Sequence, residues 1–415
     1  MALAALLASS GMLVSSGTAA QAAPAGVSAG AARVHEEAIV LDTHLDTPES
    51  LDIPGWSILD EHGAPFDATK VDLPRMKKGG LDGGFWAIYT PSGPLDADHY
   101  AQVRDFAILR GISILKMVAA YPGQFELATK ASDAAAIAAK GKRIVYMSME
   151  NAYPLGEDLT LATLFYKMGV REMGFAHFRN NQFADSSTDP SGPKWGGLSP
   201  LGIKLLAEMN RLGIMPDASH SSDQVLDDLL RFSKTPIILS HSGCKAIFDH
   251  PRNIDDAHLR ALAAKGGVIQ INGYDGYLKS IKSNPERSKA EEAFYAKYGA
   301  LPRTAANRAA ALKDWAALEA RYPRDTATFD DVLAHLLHAL KVAGPDHVGI
   351  GLDWDGGGGV VGMEDITALP RITEALLKAG YTREDVDKIW SGNVLRVLAA
   401  AEAEAAKEAQ AAAKP

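Results

Sequence analysis

The chain has 415 residues, 47% of them hydrophobic, which is ample for a large core and long for one minimal α/β barrel. A net charge of −9, with both signs mixed along the chain, excludes the basic stripe that phosphate backbones require, so no nucleic-acid partner is expected. The single cysteine, Cys244, excludes an intramolecular disulfide and leaves metal chemistry to histidines and carboxylates. A nucleophilic role for its thiol is set aside because the neighbouring histidine has a better use.

Residues 1–22 are apolar and rich in small side chains and end in Ala20-Gln21-Ala22, a signal-peptidase pattern. The usual cationic start is missing, since the first cation is Arg33. The expectation is an exported protein, periplasmic or secreted, with a linker over 23–35 and a barrel over 36–400. From residue 36, β-rich runs alternate with helical stretches, the signature of βα units. The predicted strands are Ile39–Asp46, Gly84–Thr90, Arg143–Asn151, Arg171–His177, Met215–His220, Pro236–Ser242, Gly267–Asn272 and His347–Asp355. Predicted helices between them include Ser199–Leu212, Asp223–Ser233 and Asp256–Lys265. Eight strands close an α/β (β/α)8 TIM barrel. A charged, Ala-rich helical insertion over about 279–330 follows the seventh, either flanking the mouth as a lid or oligomer contact, or decorating the surface. The run Gly356–Gly359 suits a mobile loop, and the tail over 401–415 reads as helical and too polar for a lipid anchor. No later stretch reaches the roughly 18 apolar residues of a membrane span.

Almost every polar residue capable of chemistry falls at the carboxyl end of its strand, where this architecture builds its active site. In Asp42-Thr43-His44-Leu45-Asp46, alternation puts His44 and Asp46 on one face to share a cation, with Asp42 behind them. Glu150 ends the third predicted strand, His220 the fifth and His241 the sixth. Imidazole with carboxylate favours zinc or a related first-row metal over calcium or magnesium. Two ions are expected, one held by His44 and Asp46, the other by His220 and His241, with Glu150 placed to bridge. His177 closes the fourth strand and can donate to a developing oxyanion. Asp353 closes the eighth and can accept a proton and pass it on, as could Asp355 two residues later.

With these residues in place, the chain resembles the membrane (renal) dipeptidase family of the metal-dependent amidohydrolase superfamily, over about 36–400. The resemblance rests on LDTHLDTPE at 41–49, SMENAYPLG at 148–156, GFAHFRNNQFADSS at 174–187 and ASHSS at 218–222. It also rests on LSHSGCKAI at 239–247, RNIDD at 252–256, HVGIGLDWDGG at 347–357 and GNVLRVL at 392–398. It implies two Zn2+ ions per chain, with His44 and Asp46 on one, His220 and His241 on the other, and Glu150 between them. It further implies His177 at the scissile carbonyl, Asp353 rather than Asp355 as the acid/base, and Arg252 on the substrate's C-terminal carboxylate. Tyr274 is expected to line the pocket. The implied reaction is attack of a metal-bridging hydroxide on a small dipeptide, L-Xaa-D-Xaa included. A homodimer is a family expectation. The insertion looks longer than in the animal enzymes, and their disulfides and membrane anchor have no counterpart here.

Two other readings share some of these residues. An amidohydrolase acting on N-acyl amino acids, lactones or β-lactams would use the same metals. A non-enzymatic secreted metal-binding protein would not need His177 and Asp353, and structural zinc sites are normally closed four-ligand cages.

Overall fold

The computed structural model describes residues 26–413 except 64–66, 300 and 302–304. The leader expected over 1–22 lies outside the described residues. Nine strands form among the described residues: β1 Leu41–Leu45, β2 Gly83–Tyr89, β3 Phe125–Leu127, β4 Arg143–Glu150, β5 Val170–Gly174, β6 Met215–Asp217, β7 Ile238–Ser242, β8 Val268–Ile271 and β9 Val348–Ile350. All pairings are parallel, in the order β1-β2-β4-β5-β6-β7-β8-β9, with β3 as a side strand on β4. The eight predicted strands are thus the barrel staves, and β3 is too short to show a period. Between β9 and β1 the sheet curls nearly shut. The Asp46 amide donates to the Trp354 carbonyl at 2.9 Å, and the Leu352 amide donates to the Asp42 carboxylate at 3.1 Å.

Several strands stop earlier than the residue pattern predicts. Pro216 removes one ladder donor from β6, and the Asp217 carboxylate then captures the amides of Ser219 and Ser240 at 2.9 Å each. The chain leaves the sheet there, so His220 lies past the strand at a left-handed φ of 64°. Likewise β5 ends at Gly174, before His177, and β9 ends at Ile350, before Asp353.

Inside the barrel floor, Leu41, Phe85, Tyr146, Met215, Ile238 and Val268 pack into one buried layer. Each contributes roughly 1.5–3 kcal/mol if fully withdrawn from water. The helix Asn393–Ala412 caps this layer with Val394, Val397, Leu398 and Ala401, so the expected tail from 401 simply continues that helix. At the other end, the expected linker already holds the helix Ala29–Glu37. Its N-cap Ser28 accepts from the Ala31 amide and donates to Glu374. The insertion is a helical hairpin, Pro285–Tyr298 and Ala305–Arg321, with its own small core of Phe294, Tyr298, Ala311 and Leu318. None of its described residues lines the pocket that opens among Glu150, His177 and His220 at the carboxyl ends of the strands.

Candidate metal centre and active site

Two β-bulges aim the deepest imidazoles. Against β2, the register of β1 slips between Asp42 and Leu45; against β8, that of β7 slips between Leu239 and Ser242. A bulge lets consecutive side chains enter the same space. The Thr43 hydroxyl donates across the barrel to the Ser240 carbonyl at 2.6 Å, while the adjacent His44 stacks on His241 with ring centroids 3.8 Å apart. Simple alternation puts Asp42 behind the histidine as a ligand support. Instead, its carboxylate accepts the backbone amides of His44 at 2.9 Å and Leu352 at 3.1 Å, holding the bulge and the barrel seam.

Glu150 sits at the centre of the cluster. Its Oε2 lies 3.5 Å from His44 Nε2, and its Oε1 lies 3.0 Å from His220 Nε2 and 3.5 Å from both His241 Nε2 and His177 Nε2. Asp46 Oδ2 is 3.4 Å from His44 Nε2, and His220 Nε2 faces His241 Nε2 at 2.9 Å. Three overlapping sets could hold a metal ion: His44, Glu150 and His241; Glu150, His177 and His220; and His44, Asp46 and Asp353. Both ring nitrogens of His44, Asp46 Oδ1 and His220 Nδ1 are buried without a hydrogen-bond partner among the described residues. Leaving such atoms unsatisfied costs about 1–3 kcal/mol each, a cost that coordination removes. Nitrogen and oxygen donors of this kind fit zinc and its first-row neighbours.

The electrostatics match. Burial opposes charge on Glu150, yet His177 and His44, with His220 and His241 in contact, hold its carboxyl well below the usual range. Burial would depress His44, but Asp46 and Glu150 outweigh it and hold that imidazole well above the usual range. Burial pushes His220 and His241 well down, keeping them neutral donors of lone pairs. Behind His241, Ser240 Oγ lies 2.8 Å from Nδ1 and donates to Asp217 at 2.7 Å. This support was missed in the sequence reading, although Asp217 stands three residues before His220.

Above the cluster opens a pocket of about 330 Å³, walled by Glu150, His177, His220, Tyr274, Tyr277 and Asp353 among others. Tyr89, Phe178 and Glu49 also line it; with Tyr277 they were not singled out from the sequence, because an aromatic or acidic residue at a strand end or in a short connection carries no sign of which cavity it faces. His177 touches Tyr89 edge-on at 5.0 Å, and burial lowers its pKa. Asp353 has a φ of 61°, and burial pushes its carboxyl up to about 7. A Cβ on Gly356 would collide with the carboxylates of Asp46 and Asp353, so only glycine fits beside them. Asp355 lies at the rim, engaged by the Thr47 hydroxyl at 2.7 Å and the Lys70 amide at 2.6 Å.

Tyr274 therefore lines the pocket, whereas Arg252 does not. Its guanidinium is buried behind the wall and donates to Ser242 Oγ and the His241 carbonyl, both at 2.7 Å, over the Tyr277 ring. Its Nε has no hydrogen-bond partner among the described residues. Cys244 is buried and pushed up to about 12 by that burial, with its sulfur on the His335 carbonyl, which removes it from nucleophilic chemistry.

Comparison with known proteins agrees with this geometry. The profile of the membrane dipeptidase family, peptidase family M19, matches residues 28–412. Dipeptidase tcpJ of Claviceps purpurea is 32% identical over 348 residues, covering 82% of this chain and 71% of that protein. The probable dipeptidase PvdM of Pseudomonas aeruginosa superposes with a TM-score of 0.76 at 29% identity, over 90% of this chain and 98% of that one. A metallopeptidase of Rhodobacter sphaeroides, solved with a phosphinate mimic of L-Ala-D-Ala, gives 0.69 at 28% identity, over 88% of this chain and all of that one. No described helix is long and apolar enough to cross a membrane. The chain belongs to the membrane dipeptidase family: a metal-dependent hydrolase of small peptides on a (β/α)8 barrel.

Proposed function

We propose that this protein is an exported binuclear zinc dipeptidase, with L-Xaa-D-Xaa dipeptides among its substrates. The observation that carries the reading is a Glu150-centred imidazole and carboxylate cluster on the floor of a pocket of only about 330 Å³. His44 and Asp46 would hold one zinc, His220 and His241 the other, and Glu150 would stand between them. When bound, such a pair supplies an activated water and a Lewis acid for the scissile carbonyl.

The chain's own residues do the rest. His177, neutral because burial lowers its pKa, donates from its ring to the oxygen that gains charge. Asp353, pushed up to about 7, both accepts a proton near neutral pH and returns it to the leaving amine. Arg252 acts from behind Tyr277, where its buried charge favours the end of the pocket that takes the C-terminal carboxylate. Tyr274 and Tyr277 wall that end and leave little room for a longer chain. The Rhodobacter relative's L-Ala-D-Ala mimic supports acceptance of a D-residue at the second position. The small-residue leader ending at Ala22 supports export.

The test is hydrolysis of L-L and L-D dipeptides, a tripeptide, an N-acyl amino acid and a lactone by zinc-loaded protein, beside a chelated control. Chelator-sensitive cleavage of dipeptides but not the tripeptide is expected. Turnover of the acyl or lactone substrate in their place would refute the dipeptidase reading.

A further inference from the structure

A second cavity, of about 510 Å³, adjoins the catalytic pocket on the β1 side and shares Asp46, Glu49 and Asp355 with it. Its wall is built from the long connection after β1. It carries Glu49, Trp56, Asp60, Glu61 and Asp67 and, among the described residues, no lysine or arginine. Asp67 is spent on His62, at 2.6 Å from Nδ1, and Asp355 on Thr47 and Lys70. The carboxylates of Glu49, Asp60 and Glu61 have no hydrogen-bond or ion-pair partner among the described residues. Asp46, only 6% exposed, lines both cavities at their junction. Trp56 stacks on His62 at 4.6 Å and 8°, and His62 is itself held to the Ser57 carbonyl at 2.7 Å. The indole is thus a fixed apolar plane beside free carboxylates.

We infer that this cavity is the subsite for the side chain of the dipeptide's first residue, and that it selects a long cationic one, lysine or arginine. The inference rests on the dipeptidase reading and deepens it. A scissile carbonyl over Glu150 directs the second residue towards Tyr274, Tyr277 and Arg252, which follow β7 and β8. The first residue then points to β1, where Glu49 stands at the cavity entrance. A methylene stem lies along Trp56, as long cationic side chains do on apolar surface. Its charged head meets carboxylates with no ion-pair partner among the described residues, Arg110 acting on Glu49 only from a distance, and an aromatic face adds to that attraction. An acidic side chain in the same place meets only like charge.

The experiment compares kcat/KM of the zinc-loaded protein for Lys-Ala, Leu-Ala, Glu-Ala and Ala-Ala, each with L- and D-alanine. Lys-Ala should exceed Leu-Ala by about tenfold or more, the low end for a charge-assisted hydrogen bond, with Glu-Ala slowest. The Lys-to-Leu ratio should fall towards one in Glu49→Gln and in the exposed double variant Asp60→Asn, Glu61→Gln, and should shrink with added salt. Because each ratio is taken within one preparation, a partly unfolded variant does not mimic the result. Leu-Ala or Glu-Ala turned over as well as Lys-Ala, or a ratio unmoved in both variants, overturns the subsite. Failure to cleave any of the four overturns the dipeptidase reading itself, and the subsite with it.

Discussion

Asp42 offers a direct test of how the fold aims its chemistry. Its buried carboxylate accepts the His44 amide at 2.9 Å and the Leu352 amide at 3.1 Å, joining the β1 bulge to the seam with β9. In Asp42→Asn the Oδ1 position still accepts both amides. In Asp42→Ala neither has a partner, and two buried donors left unsatisfied cost roughly 2–6 kcal/mol together. The comparison of alanine with asparagine isolates that cost, because neither side chain carries charge. Urea unfolding of the metal-free proteins should therefore place the alanine variant roughly 2–6 kcal/mol below the asparagine one. Without the bulge, His44 loses its stack on His241, so the alanine variant should also bind less than its full complement of zinc, read by elemental analysis. Alanine and asparagine variants within about 1 kcal/mol of each other, both with full zinc content, would refute the reasoning.

Three further outcomes are expected. Asp353→Asn should lower turnover by about 10²–10⁴-fold with zinc content nearly unchanged; full activity would remove the acid/base role. Ser240→Ala breaks the link from Asp217 to His241 and should weaken zinc binding about 10–100-fold in a chelator competition, whereas an unchanged affinity would mean the link does not support the ligand. His35, between Thr373 and Gly79, is pushed down to about 4 by burial, so it stays neutral when folded while its unfolded form protonates near 6.5. Its contribution is intact above that value and is lost as pH falls from about 6.5 to about 4, by roughly 3 kcal/mol at most. That slope should flatten in His35→Gln, and an identical pH profile would show that another group dominates.

The donor set was legible because it is local. His44, Asp46, Glu150, His177, His220, His241 and Asp353 each sit on a strand end or within three residues of it, and strand period and composition are short-range properties. Arg252 shows what that reading leaves to the tertiary structure. Its residue type suits a carboxylate, yet its guanidinium is committed to Ser242 and the His241 carbonyl behind the pocket wall. Residues 29–35 looked like linker because an alanine-rich stretch carries little apolar pattern, whereas the tail from 401, read as helical, continues the helix Asn393–Ala412. Docking of Ser28 on Glu374 ties the first of these to the barrel, and Ala401 packs the start of the second under the barrel floor.

By itself, then, the sequence determined the eight staves, the kinds of donor at their carboxyl ends, and the membership those donors imply. Tertiary structure alone decided which side chains meet. The bulges in β1 and β7 convert alternation into adjacency, and the carboxylates that hold them reach partners far along the chain, as Asp42 does to Leu352, 310 residues away. The acidic cavity beside β1 arises in the same way, from a long connection folded back on the barrel rim. Such contacts depend on how a closed sheet brings distant strands together, and no local period encodes that closure.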